Sequence, residues 1–216
     1  MGKVWFQLSV SLDGYSAGPQ RSEENPIGVD GMKLFDWLFA LEAWHRLSGL
    51  EGGEINPSTA VFEEAQSSYG AVVMGRNMFG GGPGPWRQDP SWNGWWGDEP
   101  PYHTPVFVLT HHARKPLRMK GGTTFFFVTD GIESALEQAK QAAAHENVLI
   151  GGGPSVVQQS LAAGLVDDFQ LHVVPVLLGR GERLLEGVGT QELEQVEVIP
   201  APGVTHITYR IVGRPR

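Results

Sequence analysis

The sequence contains no cysteine. That absence removes disulfides, thiolate nucleophiles, cysteine-ligated zinc and iron–sulfur clusters, and it accords with a reducing compartment. Basic residues are scarce as well: 16 Lys+Arg stand against 24 Asp+Glu, a formal net charge of −8. Binding along a phosphate backbone needs basic stripes, so nucleic acid is not an expected partner, although a few arginines could grip one small anion. No apolar run approaches the roughly 18 residues of a membrane span. The N-terminus, Met1-Gly2-Lys3-Val4-Trp5-Phe6-Gln7, runs straight into a strand-like segment, without the charged leader, apolar stretch and cleavage site of a secretion signal. The expectation is a soluble, cytoplasmic protein that handles a small molecule and meets neither membrane nor nucleic acid.

What is present suffices for a core: 216 residues, 41% of them hydrophobic, read as one domain over 1–216. Val4–Leu12 is rich in β-branched and aromatic residues and stops at Asp13-Gly14, the pattern of a strand entering a turn. Ser16–Asp30 is loop-like. Lys33–Ser48 carries Leu34, Leu38, Leu41 and His45 at helical spacing, with Gly49 as a stop. A second helix is expected near Pro57–Ser68, with proline in its first turn. Short apolar runs at Gly70–Met74, Pro105–Thr110, Thr123–Val128 and Val148–Ile150 read as buried strands; helices are expected at Ile132–His145 and Ser155–Ala163. Asp168–Val176 and Thr205–Val212 alternate polar and apolar residues and could pair antiparallel. Strand and helix thus alternate up to Gly164 and strands alone follow. This predicts an α/β fold with a central, mostly parallel sheet, flanking helices and antiparallel C-terminal edge strands. Between Gly80 and Thr104 the chain is dense in Gly, Pro and Trp. So long a stretch without a clear element is usually functional or disordered, and its tryptophans argue for an ordered lid or an interface arm.

Three strand ends could hold an anion. Gly151-Gly152-Gly153 sits between a strand and a helix start, where side-chain-free residues let a phosphate reach unpaired first-turn N–H groups at the positive helix end. The triplet fits neither G-x-G-x-x-G nor G-x-x-x-x-G-K-[ST], so an ordinary Rossmann or P-loop protein is excluded. Met74-Gly75-Arg76 follows another strand and offers a planar guanidinium fork. Leu109-Thr110-His111-His112, with Arg114 beyond, places a hydroxyl, two imidazoles and a guanidinium after a third strand, a set suited to a 2′-phosphate. Each, taken singly, also reads as a solvated turn. The adjacent histidines raise the question of a metal, but neighbouring side chains diverge and no acidic residue or cysteine lies close in sequence, so none is expected.

Taken in order, Ser11-Leu12-Asp13-Gly14, Met74-Gly75-Arg76, Val108-Leu109-Thr110, Ile150-Gly151-Gly152-Gly153, and Gly164-Leu165-Val166-Asp167 through Pro175, Leu178-Gly179 and Gly181 resemble the dihydrofolate-reductase-like superfamily. The match is closest to its branch homologous to the reductase domain of bacterial riboflavin biosynthesis, and it spans about residues 3 to 212. The resemblance implies a reductase with NADPH as cofactor and, commonly, a homodimer. It places Gly75 and Arg76 beside the adenosine 2′-phosphate, with Thr110 and His111 on the other side. Ile150 and Gly151–Gly153 would meet the pyrophosphate and nicotinamide end. Val10 to Leu12 would line the nicotinamide through the backbone, and the loop after Asp13 would close over the site. Asn77, His112, Ser155 and Val156 adjoin these motifs and complete the expected cofactor set. No His-x-Glu…Cys-x-x-Cys pattern accompanies them, so the deamination of the zinc domain often fused to the riboflavin enzyme is not expected of these residues.

The substrate end is less determined. A hydride acceptor, a C=N or C=O of a small pterin-like or riboflavin-precursor-like heterocycle, needs a proton donor within hydrogen-bond reach. Asp36 lies by helical angle away from Leu34, Leu38 and Leu41 and faces either a cleft or water. Asp13 is a second candidate or merely a turn former; His172 a third or a core histidine. A dinucleotide-binding module without turnover, or a dimerisation domain, is the alternative from another class.

Overall fold

The computed structural model describes residues 2–87 and 92–213. In chain order its strands and helices are β1 (Val4–Ser11), β2 (Tyr15–Ala17), α1 (Asp36–Phe39), α2 (Glu42–Leu47), α3 (Pro57–Gln66), β3 (Ala71–Gly75), α4 (Arg76–Phe79), β4 (Pro105–Leu109) and β5 (Leu117–Arg118). There follow β6 (Thr124–Val128), α5 (Ile132–Ala143), β7 (Val148–Ile150), α6 (Pro154–Ala162), β8 (Asp168–Val174), β9 (Glu182–Arg183), β10 (Glu192–Ala201) and β11 (Val204–Val212). The alternation expected up to Gly164, and the strands after it, are both found. The chain gathers into two compact units, one holding the residues through Phe6 and Tyr69–Asp167, the other Gln7–Ser68, Asp168–Glu186 and the chain from Thr190.

In the first unit β7 pairs in parallel with the start of β1 and with β3, β3 with β4, and β4 with β6; short β5 closes the edge antiparallel to β6. Strands covered on both faces must be apolar throughout, and all five residues of β3 are buried. α5 lays Ala135, Leu136, Ala139 and Ala143 inward, the i, i+4 spacing of one helix face. The 80–104 segment packs into this unit's own core: Trp86, Trp92 and Trp96 lie against a cluster that includes Phe79 and Phe125, while Trp95 is 38% exposed. Its residues 88–91 lie outside the described residues.

In the second unit β11 pairs antiparallel with β8, His206 opposite His172, as the alternation of both segments predicts. β10 pairs with β11 on the other side through a bulge at Gln195–Glu197. The helix expected over Lys33–Ser48 is not continuous. A 3₁₀ turn at Gly31–Phe35 leads into α1, and α2 starts afresh after Leu41, which is extended (φ −73, ψ 138). The cause is an inserted strand-like contact. Glu54 N–H donates to the Ala40 carbonyl (2.7 Å) and the Glu42 N–H donates to the Glu54 carbonyl (2.9 Å), diverting groups that helix continuation would use. α3 has the predicted proline start, and Asn56 and Thr59 form a reciprocal capping box before it.

Candidate functional site

The three strand ends of the first unit are neighbours because β7, β3 and β4 are adjacent parallel strands, which end on the same side. The Gly75 N–H donates to the Gly152 carbonyl (2.9 Å) and the Gly151 N–H to the Val73 carbonyl (2.8 Å), so two of the glycine motifs are bonded edge to edge. Gly75 has an ordinary backbone, yet a Cβ built there would stand 2.9 Å from Cγ2 of buried Val156; only glycine lets β3 approach α6 so closely. Gly152 needs glycine for another reason, its φ of +101. A Cβ on Gly153, in contrast, meets nothing within 4 Å. Gly153 is the N-cap of α6 and supplies no side-chain cap; its carbonyl accepts from the Val156 N–H (3.1 Å) and the Val157 N–H (3.4 Å), and the first-turn donor turned to the open space is the Ser155 N–H. Ser155 is exposed there, while the Ile150 side chain is fully buried, so only its backbone can face a ligand.

Arg76 is more engaged than a solvated turn would have it. Its Nε donates to the Gly80 carbonyl (3.1 Å) and its Nη2 to those of Gly81 (3.3 Å) and Gly82 (3.0 Å). The guanidinium lies 3.2 Å from the centroid of Trp86. Its Nη1 is buried and, among the described residues, has no hydrogen-bond partner. Arg114 approaches the same indole at 5.1 Å and donates to the Trp92 carbonyl and to Asn93. Burial, and then the like charge of Arg114, push the Arg76 guanidinium below its usual value. Thr110 is buried, its Oγ1 accepting from the His112 N–H (3.2 Å); the His112 carbonyl accepts the Trp86 indole N–H (2.7 Å). His111 and Asn77 are exposed. Nothing in the motif Met74-Gly75-Arg76 points to Trp86, which lies in the 80–104 segment and packs edge-on against Phe79 and against Phe127 of β6.

In the second unit the three proton-donor candidates part company. Asp13 is a latch. Its Oδ1 accepts from the Ser11 hydroxyl (2.6 Å) and the Leu178 N–H (3.1 Å), and its Oδ2 from the Gly179 N–H (2.7 Å). The Ser11 hydroxyl first, and the amides of Gly179 and Leu178 after it, hold its carboxyl below the usual carboxylate value. With Leu12 N–H on the Val176 carbonyl and Leu184 N–H on that of Gly14, the loop after β1 is pinned to the chain that leaves β8 and runs through β9 to Leu184. Asp36 opens α1 and is exposed, whereas Trp37 beside it is 7% exposed; with α1 ending at Phe39 and Leu41 extended, Asp36 and Leu41 do not share one continuous helix.

His172 lies in the core, 4% exposed. Its Nδ1 faces Nδ1 of His206 at 2.8 Å, its Nε2 the amide oxygen of Gln7 at 3.3 Å, and His206 Nε2 faces the Ser58 hydroxyl at 2.8 Å. Trp37 packs on both imidazoles with centroids 4.9 Å away and donates its indole N–H to Ser9 (3.1 Å). The chain closes without a charge if Ser58 donates to His206, His206 to His172, and His172 to Gln7. Burial, with the neighbouring His206 second, pushes His172 down to about 3; burial pushes His206 down to about 4. Sequence reasoning singled out His172 without His206; the register of β8 on β11 joins them.

On the opposite face of β8, where alternation sends Leu171 and Val173, lies a cleft of about 330 Å³. Val10, Leu12, Leu184 and Leu185 complete its apolar walls, and Ser11, Arg183 and Glu186 are its polar members. Two of the residues expected to line a nicotinamide, Val10 and Leu12, are thus cleft residues; neither Asp36 nor His172 is.

The RibD C-terminal domain matches residues 2–206. No curated protein sequence matches the chain. Among solved structures, a Shewanella sp. PV-4 protein provisionally assigned to riboflavin biosynthesis shares 20% identity over 97% of this chain and 98% of its own, with a TM-score of 0.64. The Thermotoga maritima diaminohydroxyphosphoribosylaminopyrimidine deaminase/5-amino-6-(5-phosphoribosylamino)uracil reductase shares 15% over 97% of this chain and 56% of its own, TM-score 0.60; the chain spans about half of that two-activity protein. Enterococcus faecalis dihydrofolate reductase, solved with NADP(H), shares 15% over 98% of both chains, TM-score 0.51. These likenesses show the fold, and it is the dihydrofolate-reductase-like fold that the five motifs implied.

Proposed function

The chain belongs to the RibD C-terminal domain family, and from that premise we propose that it is an NADPH-dependent reductase that delivers a hydride to a C=N or C=O of a small heterocycle. The observation that carries the cofactor is the junction of β3, β7 and α6. There Gly75 and Gly152 are bonded together, and the uncapped start of α6 opens at Gly153 into free space. Such a junction suits a pyrophosphate on physical grounds alone. The buried, unpartnered Nη1 of Arg76 fits a further anionic oxygen. The neighbour solved with NADP(H) supports the choice of dinucleotide.

Bound there, NADPH supplies the hydride. The chain's own residues bind and orient: Gly75, Gly151, Gly152 and Gly153 offer backbone, Ser155 and Val156 begin the helix, and Arg76 with Thr110 and His111 meets the 2′-phosphate. Asn77 and His112 flank that group. The same reading includes a homodimer, for which exposed Leu193, Val196, Val198 and Val212 on β10 and β11 offer apolar surface.

Titration with NADPH and NADH, followed by NADPH-oxidation assays on pterins and flavin-pathway intermediates, tests the proposal. Arg76→Lys is expected to weaken NADPH roughly 10- to 100-fold and leave NADH nearly unchanged, the worth of a charge-assisted, forked contact. Absence of binding by either dinucleotide would refute the reading. Binding without turnover of any heterocycle would favour a dinucleotide-binding module instead.

A further inference from the structure

The 80–104 segment carries a dipeptide that the proposed cofactor seat does not use, Asn93-Gly94. The chain has five asparagines. They differ in whether the next backbone nitrogen is free to attack the side-chain carbonyl carbon. Asn25 and Asn56 precede prolines, whose nitrogens carry no proton to lose. Asn77 lies in the helical backbone of α4, ahead of Met78. Asn147 precedes Val148, whose N–H is already bonded to the Lys3 carbonyl (2.8 Å). Asn93 is exposed, lies in no helix or strand, and is followed by a residue with no side chain to obstruct an approach. The Gly94 N–H has no hydrogen-bond partner among the described residues. The fold keeps glycine there: its φ is +100, and a Cβ would stand 3.3 Å from the Trp96 ring and 3.5 Å from Phe79.

Arg114 acts on the other partner of that reaction. Its guanidinium is used as a fork, Nη1 donating to the Trp92 carbonyl and Nη2 to Oδ1 of Asn93 (3.1 Å). The fork ties the Asn93 side chain to the peptide before it and leaves the peptide after it free. A cation on Oδ1 draws electrons from Cγ and stabilises the negative oxygen that forms when a nucleophile adds there.

We infer that Asn93-Gly94 is a self-modification site, at which Arg114 promotes conversion of Asn93 to aspartate and isoaspartate. The Gly94 nitrogen loses its proton to hydroxide and attacks Cγ of Asn93. A nitrogen–carbon bond forms, and Oδ1 takes the negative charge beside Arg114. The Cγ–Nδ2 bond then breaks, and Nδ2 leaves as ammonia with a proton from water, which restores the hydroxide. Water opens the resulting five-membered imide at either carbonyl carbon, giving aspartate or isoaspartate. The sum is asparagine and water to aspartate and ammonia, with no oxidation or reduction. Aspartate sets a carboxylate against Arg114, while isoaspartate moves a methylene into the main chain between Trp92 and Gly94. Arg114 approaches the same Trp86 on which Arg76 stacks, so either product brings a negative charge to the neighbourhood of both arginines.

Trypsin releases residues 88–114 as one peptide in which Asn93 is the sole asparagine. After incubation of the full chain at mildly alkaline pH, that peptide is expected to gain one mass unit and to accept methyl groups from an isoaspartate methyltransferase. The peptides holding Asn77 and Asn147 should stay unchanged. The deciding quantity is the deamidation rate of the native chain against that of the same chain unfolded in urea. Promotion by Arg114 predicts a native rate about tenfold higher, the effect of one charge-assisted hydrogen bond. Arg114→Gln should bring the native rate down to the unfolded one, and Arg114→Lys, which keeps the cation, should restore part of the difference. A wild-type native rate at or below the unfolded rate overturns the inference, whatever the stability of the variants. So does an Arg114→Gln chain that keeps the wild-type melting temperature and deamidates as fast as wild type. No dinucleotide takes part in these measurements, so their outcome is independent of the reductase reading.

Discussion

Nδ1 of His172 faces Nδ1 of His206 across 2.8 Å, and the two residues are 4% and 1% exposed. One ring must donate and the other accept, so the neutral pair is stable and the charged pair is not. Both groups titrate far below an ordinary histidine, at about 3 and about 4. The unfolded chain, with ordinary histidines near 6.5, therefore binds more protons than the folded chain once pH drops below that value. The pair's contribution is complete above about pH 6.5 and is lost as pH falls towards 4 and then 3, several kcal/mol in total. Urea midpoints for wild type should fall between pH 7 and pH 4.5. A His172→Gln/His206→Gln variant, stripped of the two titrating rings, should show a clearly flatter dependence. Equal slopes would mean that the pair is not the source.

Arg76 has a structural duty besides any contact with phosphate. It donates to three successive glycine carbonyls and stacks at 3.2 Å on Trp86, so it anchors the start of the 80–104 segment. Arg76→Ala should cost about 2–3 kcal/mol, the sum expected for charge-assisted bonds and a partly desolvated cation–π contact. Thermal melting monitored by tryptophan emission reads this directly, since Trp86 loses its partner. Arg76→Ala is for this reason a poor probe of cofactor binding, and Arg76→Lys the better one. An Arg76→Ala protein as stable as wild type would show the tether to be idle.

How far the fold was readable depended on how local its causes are. β7 was expected at Val148–Ile150 and stands there because a short apolar run between polar residues and glycines leaves no other choice. The strand end at Gly75-Arg76 and the start of α6 were equally legible, their glycines and proline being local signals. The broken helix at Ala40–Leu41 was not, since it is broken by Glu54, thirteen residues beyond Leu41, through backbone bonds that leave no mark in side-chain periodicity. β10 is harder to read: Leu193, Val196 and Val198 alternate with the glutamates at 192, 194 and 197, but the bulge at Gln195–Glu197 shifts the period between Leu193 and Val196, and both faces of the strand are largely exposed. The cofactor side of the site followed from short motifs. The cleft beside β8 did not, because Val10, Val173 and Glu186 meet only after strands distant in sequence pair.

Asp13 predicts a titratable loop. Its carboxylate accepts from three donors, two of them the backbone N–H groups of Leu178 and Gly179, and its pKa is lowered. A lowered carboxyl contributes its bonds above the ordinary carboxylate range and loses them as pH falls through its own, lower titration. The amide resonance of Gly179 should therefore shift with pH below the usual aspartate midpoint and be unresponsive above it. In Asp13→Ala the loop 11–14 and the segment 176–184 should exchange amide hydrogens faster at neutral pH, with the rest of the chain unchanged. A Gly179 amide that titrates with an unshifted aspartate would show that the latch is open in solution.

Gly75 and Val156 make the sharpest steric prediction. A Cβ at position 75 would sit 2.9 Å from Val156 Cγ2, closer than a methyl contact allows, and both sites are buried. Gly75→Ala must either push α6 away from β3 or force Val156 off its rotamer, at a cost of about 1–3 kcal/mol. Moving α6 would also part the Gly75–Gly152 bond, on whose geometry the proposed pyrophosphate seat depends, so NADPH affinity should fall along with stability. Val156→Ala removes the colliding methyl and leaves a small void, costing stability by itself. The double variant should nonetheless be more stable than the two single losses added together, because the clash is counted in only one of them. Urea unfolding of the four proteins gives that coupling directly. Strict additivity would mean that β3 and α6 are not held as closely as the structure has them.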